Sequence, residues 1–360
     1  MKSYCKGLKI DRAFVEQAYM SWLYSQAGKK NAWRIKGEHG DVEHLIAEIT
    51  REISTRTLTF VPIKYEERTE GVNQKVRHIG IESVKEQVVE HVVILAIKDL
   101  FNAKIGHYQC AGIRGRGQLM ASKAIRKWIV KAPGSYFVKA DIRKCYESTP
   151  HEVVMEFYRK YVKSDDVLYC IESILGTFKH GLNLGGFFSL ITMTLLLSKA
   201  YHYLEGLGKQ KRGKHVGLIA HQIWFMDDIL LIGNRKADVK SAARKLECYL
   251  ARELGLTLKQ WKVSRVGIEP IDMVGFVHRP GKTTIRARVF IHARRSFKRF
   301  AKSPSLKQAR RVSSYWGYFK HTDSWRWITR NKAHRLARHA ARMVSLRDRR
   351  HNDCVLQRRT

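Results

Sequence analysis

Acidic residues are scarce in this chain of 360 residues: 32 Asp and Glu stand against 68 Lys and Arg, a formal net charge of +36. Such an excess is atypical of an ordinary metabolic enzyme and favours a polyanionic partner. Because 44% of the residues are hydrophobic and 10% aromatic, the chain can still bury real cores. Wholesale disorder is therefore not expected, and the length allows roughly two or three domains.

Paired cysteines are missing as well. The six cysteines are scattered, with no CxxC spacing, which argues against a zinc module or a disulfide framework and favours a reduced, cytoplasmic setting. Residues 1–9 contain no apolar run, so no secretory signal is expected. Residues 181–198 are uncharged but diluted by polar and glycine residues, so we expect a buried helix and no membrane partner.

The positive charge is concentrated near the end of the sequence. Residues 281–360 carry 23 Lys and Arg against three Asp, a local excess of +20, and tryptophans and tyrosines are interleaved with them. This pattern predicts a helical module that both packs and grips phosphate, rather than a disordered basic tail. Within it, we expect Trp325 and Trp327 to be buried rather than stacked on bases.

The apolar pattern predicts an α+β fold. Helices are expected within 11–55 and over 83–101, 187–203 and 239–254, and strands within 58–81, around a turn at 70–73, and over 136–142, 223–226 and 229–232. Residues 208–214 are expected to form a basic surface loop. Because strands and helices alternate without regular βαβ spacing, a doubly wound sheet is not favoured.

Three aspartates carry the strongest chemical signal. Asp227 and Asp228 are adjacent at a tight turn between two short apolar strands, and Asp141 ends an earlier strand. Adjacent carboxylates repel each other and resist burial unless cations neutralise them, and Mg²⁺ prefers such hard oxygen ligands. Three carboxylates on neighbouring strand ends could hold two Mg²⁺ ions that bridge a triphosphate and activate a 3′-hydroxyl. A solvated acidic turn is the alternative interpretation of the adjacent pair.

These aspartates resemble the signature of bacterial reverse transcriptases of the non-LTR lineage. The sequence Phe-Met-Asp-Asp, which begins at Phe225, resembles the family's Tyr-x-Asp-Asp box, and Asp141 matches its first metal-binding aspartate. By the same resemblance, Lys262 is the lysine that protonates the pyrophosphate leaving group. Lys259 lies three residues earlier and can be matched to that motif instead.

Further motifs follow in the family's order. Lys75 and Arg77 resemble the fingers residues that contact the triphosphate, for which an arginine's bidentate geometry is suited. Tyr146 falls at the steric-gate position, where an aromatic ring excludes a ribose 2′-hydroxyl. The resemblance assigns template or primer contact to Arg114, Gly185, Gly186, Ser189, Phe225, Met226 and Gly275, and nucleotide and metal contact to Ile142 beside Asp141, Asp227 and Asp228.

The resemblance implies a right-hand polymerase fold with an antiparallel palm sheet backed by helices. Residues 1–57 would form an N-terminal helical extension, 58–280 the fingers and palm, and 281–360 a basic helical thumb. It also implies an RNA-directed DNA polymerase that uses two Mg²⁺ ions, dNTPs, a template RNA and a primer that becomes cDNA. Such a protein would be cytoplasmic, and bacterial or phage-encoded.

Within that lineage, the sequence is most similar to reverse transcriptases of diversity-generating retroelements. The likeness rests on the short chain, the helical extension and a thumb segment at 314–323. It implies a small, basic, oligomeric accessory protein as a further partner. Phage-defence reverse transcriptases, with an antiviral role, and retron or group II intron-like enzymes stay open as alternatives. A non-catalytic, maturase-like RNA-binding protein is the alternative from another class.

Overall fold

A computed structural model of the protein describes residues 2–70 and 75–357, with the side chains of 70, 75 and 347–357 left out. The chain is a mixture of helices and strands, as the apolar pattern predicts. The helices are α1 (Arg12–Leu23), α2 (Gln26–Asn31), α3 (Ile35–His39), α4 (Val42–Ser54), α5 (Val84–Ala96), α6 (Lys98–Lys104), α7 (Gln118–Lys131), α8 (His151–Tyr161), α9 (Asp165–Gly176), α10 (Phe187–Gly206), α11 (Lys236–Leu254), α12 (Ala287–Lys302), α13 (Leu306–Lys320), α14 (Trp325–Arg330) and α15 (Ala333–Gln357), with a short 3₁₀ turn at Ala32–Arg34.

The strands form small sheets. They are β1 (Lys64–Glu70), β2 (Lys75–Ile81), β3 (Tyr136–Asp141), β4 (Gly208–Lys211), β5 (Lys214–Gly217), β6 (His221–Phe225), β7 (Asp228–Gly233), β8 (Val263–Arg265), β9 (Ile271–Met273), β10 (Phe276–Arg279) and β11 (Lys282–Ile285). Strands β1 and β2 pair as the predicted hairpin. Apart from Glu70, the predicted turn at 70–73 lies outside the described residues.

The chain divides into two compact units. The first comprises residues 1–115 and 138–263, and the second comprises 116–137 and 264–360. This division groups residues that pack together. The boundaries predicted at 57 and 280 separate the chain by expected function instead, and they stay predictions.

The first unit is built around strands β6, β7 and β3, which are neighbours in that order. Helix α10 packs against α5 and α11. It is mostly buried, as expected for an uncharged stretch, with Leu195, Leu196 and Leu197 at most 1% exposed. No helix among the described residues is long and apolar enough to cross a membrane.

The interpretation of 208–214 as a loop is wrong, because this segment forms most of a hairpin. Strands β4 and β5 pair from Gly208 with Gly217 to Lys211 with Lys214, which leaves a two-residue turn. Both turn residues, Arg212 and Gly213, have positive φ, at 50° and 73°. That conformation matches the twist of a two-residue hairpin, and Gly213 is the residue that permits it at low cost.

The second unit is a small sheet with a helical cluster. Strands pair in the order β11-β10-β9, and α7 packs against β10. Helices α12, α13 and α15 pack against one another around buried Phe297, Phe300 and Phe319. Because their arginines and lysines lie mostly on the outer faces, the helical module predicted from the charge pattern can both bury a core and present a basic surface.

Candidate active site

The predicted aspartates meet at one edge of the first unit's sheet. Phe225 pairs with Asp228 across the β6–β7 hairpin, and Met226 takes the left-handed conformation, with φ of 55°, that closes this turn. The Ile142 N–H donates to the Asp227 carbonyl at 3.0 Å, which ties the end of β3 to the turn. Asp141, the last residue of β3, therefore lies beside the adjacent pair.

Electrostatics indicate a crowded anionic site. Burial raises the pKa of Asp227 above its ordinary value, and the negative charges of Asp141 and Asp228 raise it further. Two ammonium groups offset this repulsion: Lys259 Nζ lies 2.6 Å from Asp141 Oδ1, and Lys139 Nζ lies 3.6 Å from Asp228 Oδ1. The site is therefore a carboxylate cluster whose charge is balanced by the chain's own lysines.

These residues fit a hard divalent cation by their chemistry. Asp141 Oδ1 is shielded from solvent and accepts no aligned hydrogen bond within the described residues, because Lys259 meets it at an unfavourable angle. An oxygen of this kind gains most from a cation. Among the described residues, no group of three or more His, Cys, Asp or Glu is close enough to hold a metal as it stands. The side chains would therefore have to draw together around an ion.

Tyr146 lies near Asp227, and the Arg77 guanidinium lies near Tyr146. Burial raises the pKa of Tyr146 well above its ordinary value, the nearby Cys145 and Asp227 add to the rise, and the Arg77 guanidinium opposes it. The Tyr146 carbonyl accepts a 2.9 Å hydrogen bond from the Leu182 N–H, which fixes the backbone that carries the ring. The side chain of Lys75 lies outside the described residues.

Cys145 packs beneath this site. Its Sγ lies 3.4 Å from the Met193 Sδ, and it is 4% exposed. Burial raises the pKa of its thiol strongly, and Asp227 and Asp141 raise it further. A thiol in this setting is inert as a nucleophile.

The glycine-rich loop before α10 is held close to other elements. Gly185 lies against Ile79 of β2, and a Cβ at Gly186 would come within 2.5 Å of Glu82 Oε1. Only glycine permits that approach. Ser189 is fully buried and its Oγ has no hydrogen-bond partner among the described residues. Ser189 could therefore affect a template only indirectly, by changing the position of the loop.

Three buried glutamates lie beside this loop, and none of them was predicted from the sequence. Glu90 accepts hydrogen bonds from the Phe187 and Phe188 N–H groups, each at 3.1 Å, at the start of α10. Asn183 Nδ2 donates to Glu82 at 2.6 Å, and Thr177 Oγ1 donates to Glu86 at 2.8 Å. The spacing of four residues between these glutamates, with Ser83 three residues before Glu86, was the available signal.

Burial makes these three groups weak acids. Desolvation raises the pKa of Glu82 to about 7 and that of Glu86 to about 8, with the charge of Glu82 adding to the latter. Desolvation also raises the pKa of the fully buried Glu90, and its acidic neighbours add to the rise. Each of the three therefore holds its proton to a higher pH than a solvent-exposed glutamate does.

The remaining predicted contacts are dispersed. Arg114 is exposed, Phe225 is half-buried, and the Met226 Sδ lies 3.9 Å from the Thr194 hydroxyl. Gly275 belongs to the second unit, where its φ is 84° and a Cβ would come within 2.7 Å of the Tyr318 ring. Each is compatible with its predicted role, which stays a prediction.

Backbone pairing brings Lys259 to Asp141. The Lys259 N–H donates to the Asp141 carbonyl at 2.8 Å, and the Arg143 N–H donates to the Thr257 carbonyl at 2.8 Å. This pairing carries the Lys259 ammonium to the carboxylate, at 2.6 Å. Sequence spacing leaves both lysines open, and the backbone pairing is what favours the first.

A family comparison matches residues 65–278 to the family described as reverse transcriptase (RNA-dependent DNA polymerase). The chain belongs to this family. Members of the reverse transcriptase family generally use divalent metal ions, in keeping with the carboxylate cluster. The match spans every residue predicted for catalysis and nucleotide binding, and leaves helices α1–α4 and α12–α15 outside it.

Solved structures similar to the chain include telomerases. Apo telomerase from Candida tropicalis truncated from its C-terminal domain is 11% identical, with a TM-score of 0.44, over 63% of this chain and 55% of that one. Telomerase from Candida albicans with a fragment of telomeric RNA is 11% identical, with a TM-score of 0.46, over 79% and 63%. Apo telomerase from Candida tropicalis is 13% identical, with a TM-score of 0.48, over 76% and 59%. The chain thus spans less than two thirds of these proteins, and no match was found among curated proteins.

Proposed function

We propose that the chain is an RNA-directed DNA polymerase. The observation that carries the proposal is the carboxylate cluster of Asp141, Asp227 and Asp228, formed where β3 meets the β6–β7 turn inside a reverse transcriptase domain. A solvated acidic turn would not need burial that raises the pKa of Asp227, nor a lysine at 2.6 Å from Asp141.

The chain's residues have separable roles in this proposal. Asp141, Asp227, Asp228 and the Ile142 carbonyl would hold two Mg²⁺ ions, which supply activation of the primer 3′-hydroxyl and neutralisation of the triphosphate when bound. Lys75 and Arg77 orient the triphosphate by charge and hydrogen bonding. Gly185, Gly186, Arg114 and Gly275 are proposed to support the template and primer.

A direct assay tests the polymerase. Purified protein with a primer annealed to RNA, dNTPs and Mg²⁺ should extend the primer, and chelation of Mg²⁺ should stop extension. Absence of extension on every primed RNA tested, by protein that is folded and binds RNA, would overturn the proposal in favour of a maturase-like RNA-binding role. That role needs the basic surface alone and gives no reason for three half-buried carboxylates side by side.

Tyr146→Ala is expected to reduce the preference for dNTPs over rNTPs at least about tenfold, because removal of the ring opens space for the 2′-hydroxyl. Single-nucleotide incorporation kinetics with matched dATP and ATP measure this ratio. Tyr146→Phe keeps the ring and should keep the preference. Equal preference in Tyr146→Ala and the parent protein would contradict the steric-gate role.

Lys259→Met is expected to slow single-nucleotide incorporation about a hundredfold, the usual effect of losing a general acid. The Lys259 ammonium lies against Asp141, so Lys259 is better placed than Lys262 to protonate the leaving pyrophosphate. Lys262→Met is the matched control and should stay within about threefold of the parent. The reverse order of effects would restore the assignment of Lys262.

We propose the right-hand arrangement with residues 1–57 as a helical extension, 58–280 as fingers and palm, and 281–360 as thumb. The proposal is supported by the four helices that precede the β1–β2 hairpin and by the basic helical cluster that follows β11. Limited proteolysis should cut preferentially near residues 57 and 280 if these are functional boundaries.

The biological setting we favour is a diversity-generating retroelement of a bacterium or phage, with template RNA, cDNA and a small basic accessory protein as partners. Phage defence, or a retron or group II intron-like role, would use the same chemistry with another RNA. Sequencing the RNA and cDNA that co-purify with the protein separates these roles. A template repeat copied with errors supports the first, and a fixed structured RNA overturns it.

A further inference from the structure

The two tryptophans of α14 have opposite environments. Trp327 stacks on Phe319 with ring centroids 4.5 Å apart and meets Phe297 edge to face at 5.6 Å. Trp325 is 64% exposed. The expectation that both are buried is wrong for Trp325, whereas Trp327 is half-buried against the aromatic core. Residues two apart on a helix point about 200° apart, so the two rings face different surroundings. The exposed indole leaves a large apolar surface in water that packing does not explain.

This indole lines an open groove of about 660 Å³ in the second unit. Its other walls come from the β10–β11 turn at Gly281 and Lys282, the first turn of α12 at Phe290, and the segment from Asp323 to Trp327. A backbone hydrogen bond fixes the floor of the groove: the Asp323 N–H donates to the Thr283 carbonyl at 2.8 Å. The groove is thus a built concavity with one aromatic wall.

The charges around the groove favour an anionic strand that carries planar rings. Lys282 and Arg326 are exposed, and the Arg326 guanidinium lies 5.4 Å from the centre of the Trp325 ring. The surrounding residues 281–360 carry an excess of +20. Asp323 is the exception: its Oδ2 accepts the Thr283 N–H at 2.6 Å, and its Oδ1 has a 3.9 Å contact with Arg126. A carboxylate repels phosphate but accepts a base's amino group.

We propose that this groove binds an unpaired base of single-stranded RNA, which stacks on Trp325 while Lys282 and Arg326 contact the flanking phosphates and Asp323 Oδ1 accepts an amino proton of the base. Unpaired RNA is read in this way by other proteins, through stacking on aromatic rings and hydrogen bonding to splayed base edges. The choice of RNA rather than DNA rests on the proposed function. The Asp323 contact favours adenine or cytosine over uracil, which lacks an exocyclic amino group.

Equilibrium binding of the full chain to fluorescent ten-nucleotide RNAs, without dNTPs or Mg²⁺, tests the groove apart from polymerisation. Raised ionic strength suppresses the general phosphate contacts of the basic surface. Trp325→Ala should weaken oligo(C) or oligo(A) binding at least about fivefold, the lower range for loss of a stacked base. Trp325→Phe should recover part of the loss. Trp33→Ala is the matched control: this tryptophan, in the first unit, is 78% exposed, and its loss should leave binding within about twofold.

Base preference gives the second measurement. The parent protein should bind oligo(C) and oligo(A) several-fold more tightly than oligo(U), and Asp323→Asn should reduce that preference while the protein stays folded by circular dichroism. Unchanged binding in Trp325→Ala, or an equal loss in Trp33→Ala, would overturn the groove. Equally tight DNA binding with the same Trp325 dependence would overturn the assignment to RNA. Since primer extension by these variants is measured separately, failure of the groove leaves the polymerase proposal intact.

Discussion

Asp227→Asn is expected to slow primer extension at least about a thousandfold, because metal-assisted charge stabilisation contributes several kcal/mol to such a transfer. The substitution keeps the shape of the side chain and removes the charge that a cation needs. RNA binding should be unchanged, because Asp227 carries no positive charge that could hold phosphate. Single-turnover extension on a primed RNA, with binding measured in parallel, gives both quantities.

The same substitution should stabilise the fold. Burial and the charges of Asp141 and Asp228 raise the pKa of Asp227, so its ionised form is disfavoured in the folded state. Neutral asparagine removes that penalty, and urea unfolding should show a higher midpoint. Asp99→Asn, at an exposed carboxylate on α6, is the matched control and should change neither quantity. An Asp227→Asn protein that extends at more than a tenth of the parent rate would sink the proposed mechanism.

Stability should fall as pH rises from about 5 to about 8.5, and Glu86→Gln should remove a large part of that fall. The pKa of Glu86 is raised to about 8 by desolvation and by Glu82. A raised acid pKa means that the folded chain holds more protons than the unfolded chain. The stabilising contribution is complete below the ordinary pKa and is lost as pH rises through the folded value. For Glu86 the change is on the order of 3 to 5 kcal/mol.

Urea unfolding of the parent and the variant at several pH values measures this difference. Glutamine keeps an acceptor for the Thr177 hydroxyl, which now donates to Glu86 at 2.8 Å, so the comparison isolates the proton. Glu156→Gln, on an exposed face of α8, is the matched control and should follow the parent curve. Parallel curves for the parent and Glu86→Gln would show that Glu86 ionises normally in the folded chain.

The carboxylate cluster could be predicted because it depends on short-range order. Asp141 is the last residue of an apolar strand, and Asp227 and Asp228 lie at the turn between two others. Adjacent strands bring their ends together, so the positions of these three acids follow from the sequence pattern alone. The preference for Lys259 over Lys262 could not be predicted, because it depends on which backbone groups pair with those after Asp141. The two lysines are only three residues apart, and the sequence does not specify which of them pairs with the backbone at Asp141.

The three buried glutamates and the exposed tryptophan were not predicted from the sequence, and the reason is the same for both. Sequence patterns assign charged residues to the surface and tryptophans to the core. Glu82 and Glu90 accept hydrogen bonds from the loop and the start of α10, and Glu86 accepts one from Thr177 at the end of α9. Trp327, and not Trp325, packs on the aromatic core. In both cases a tertiary partner, far away in the sequence, decides the outcome.

The ammonium of Lys259 at Asp141 has a consequence for the order of assembly. Proteins whose ligands have no internal counter-charge, such as zinc fingers, depend on the ion to fold at all. Here the Lys259 ammonium already faces the Asp141 carboxylate, so we expect the chain to fold in a solution without divalent ions. In the proposed mechanism, metal would then bind after folding, together with RNA and nucleotide.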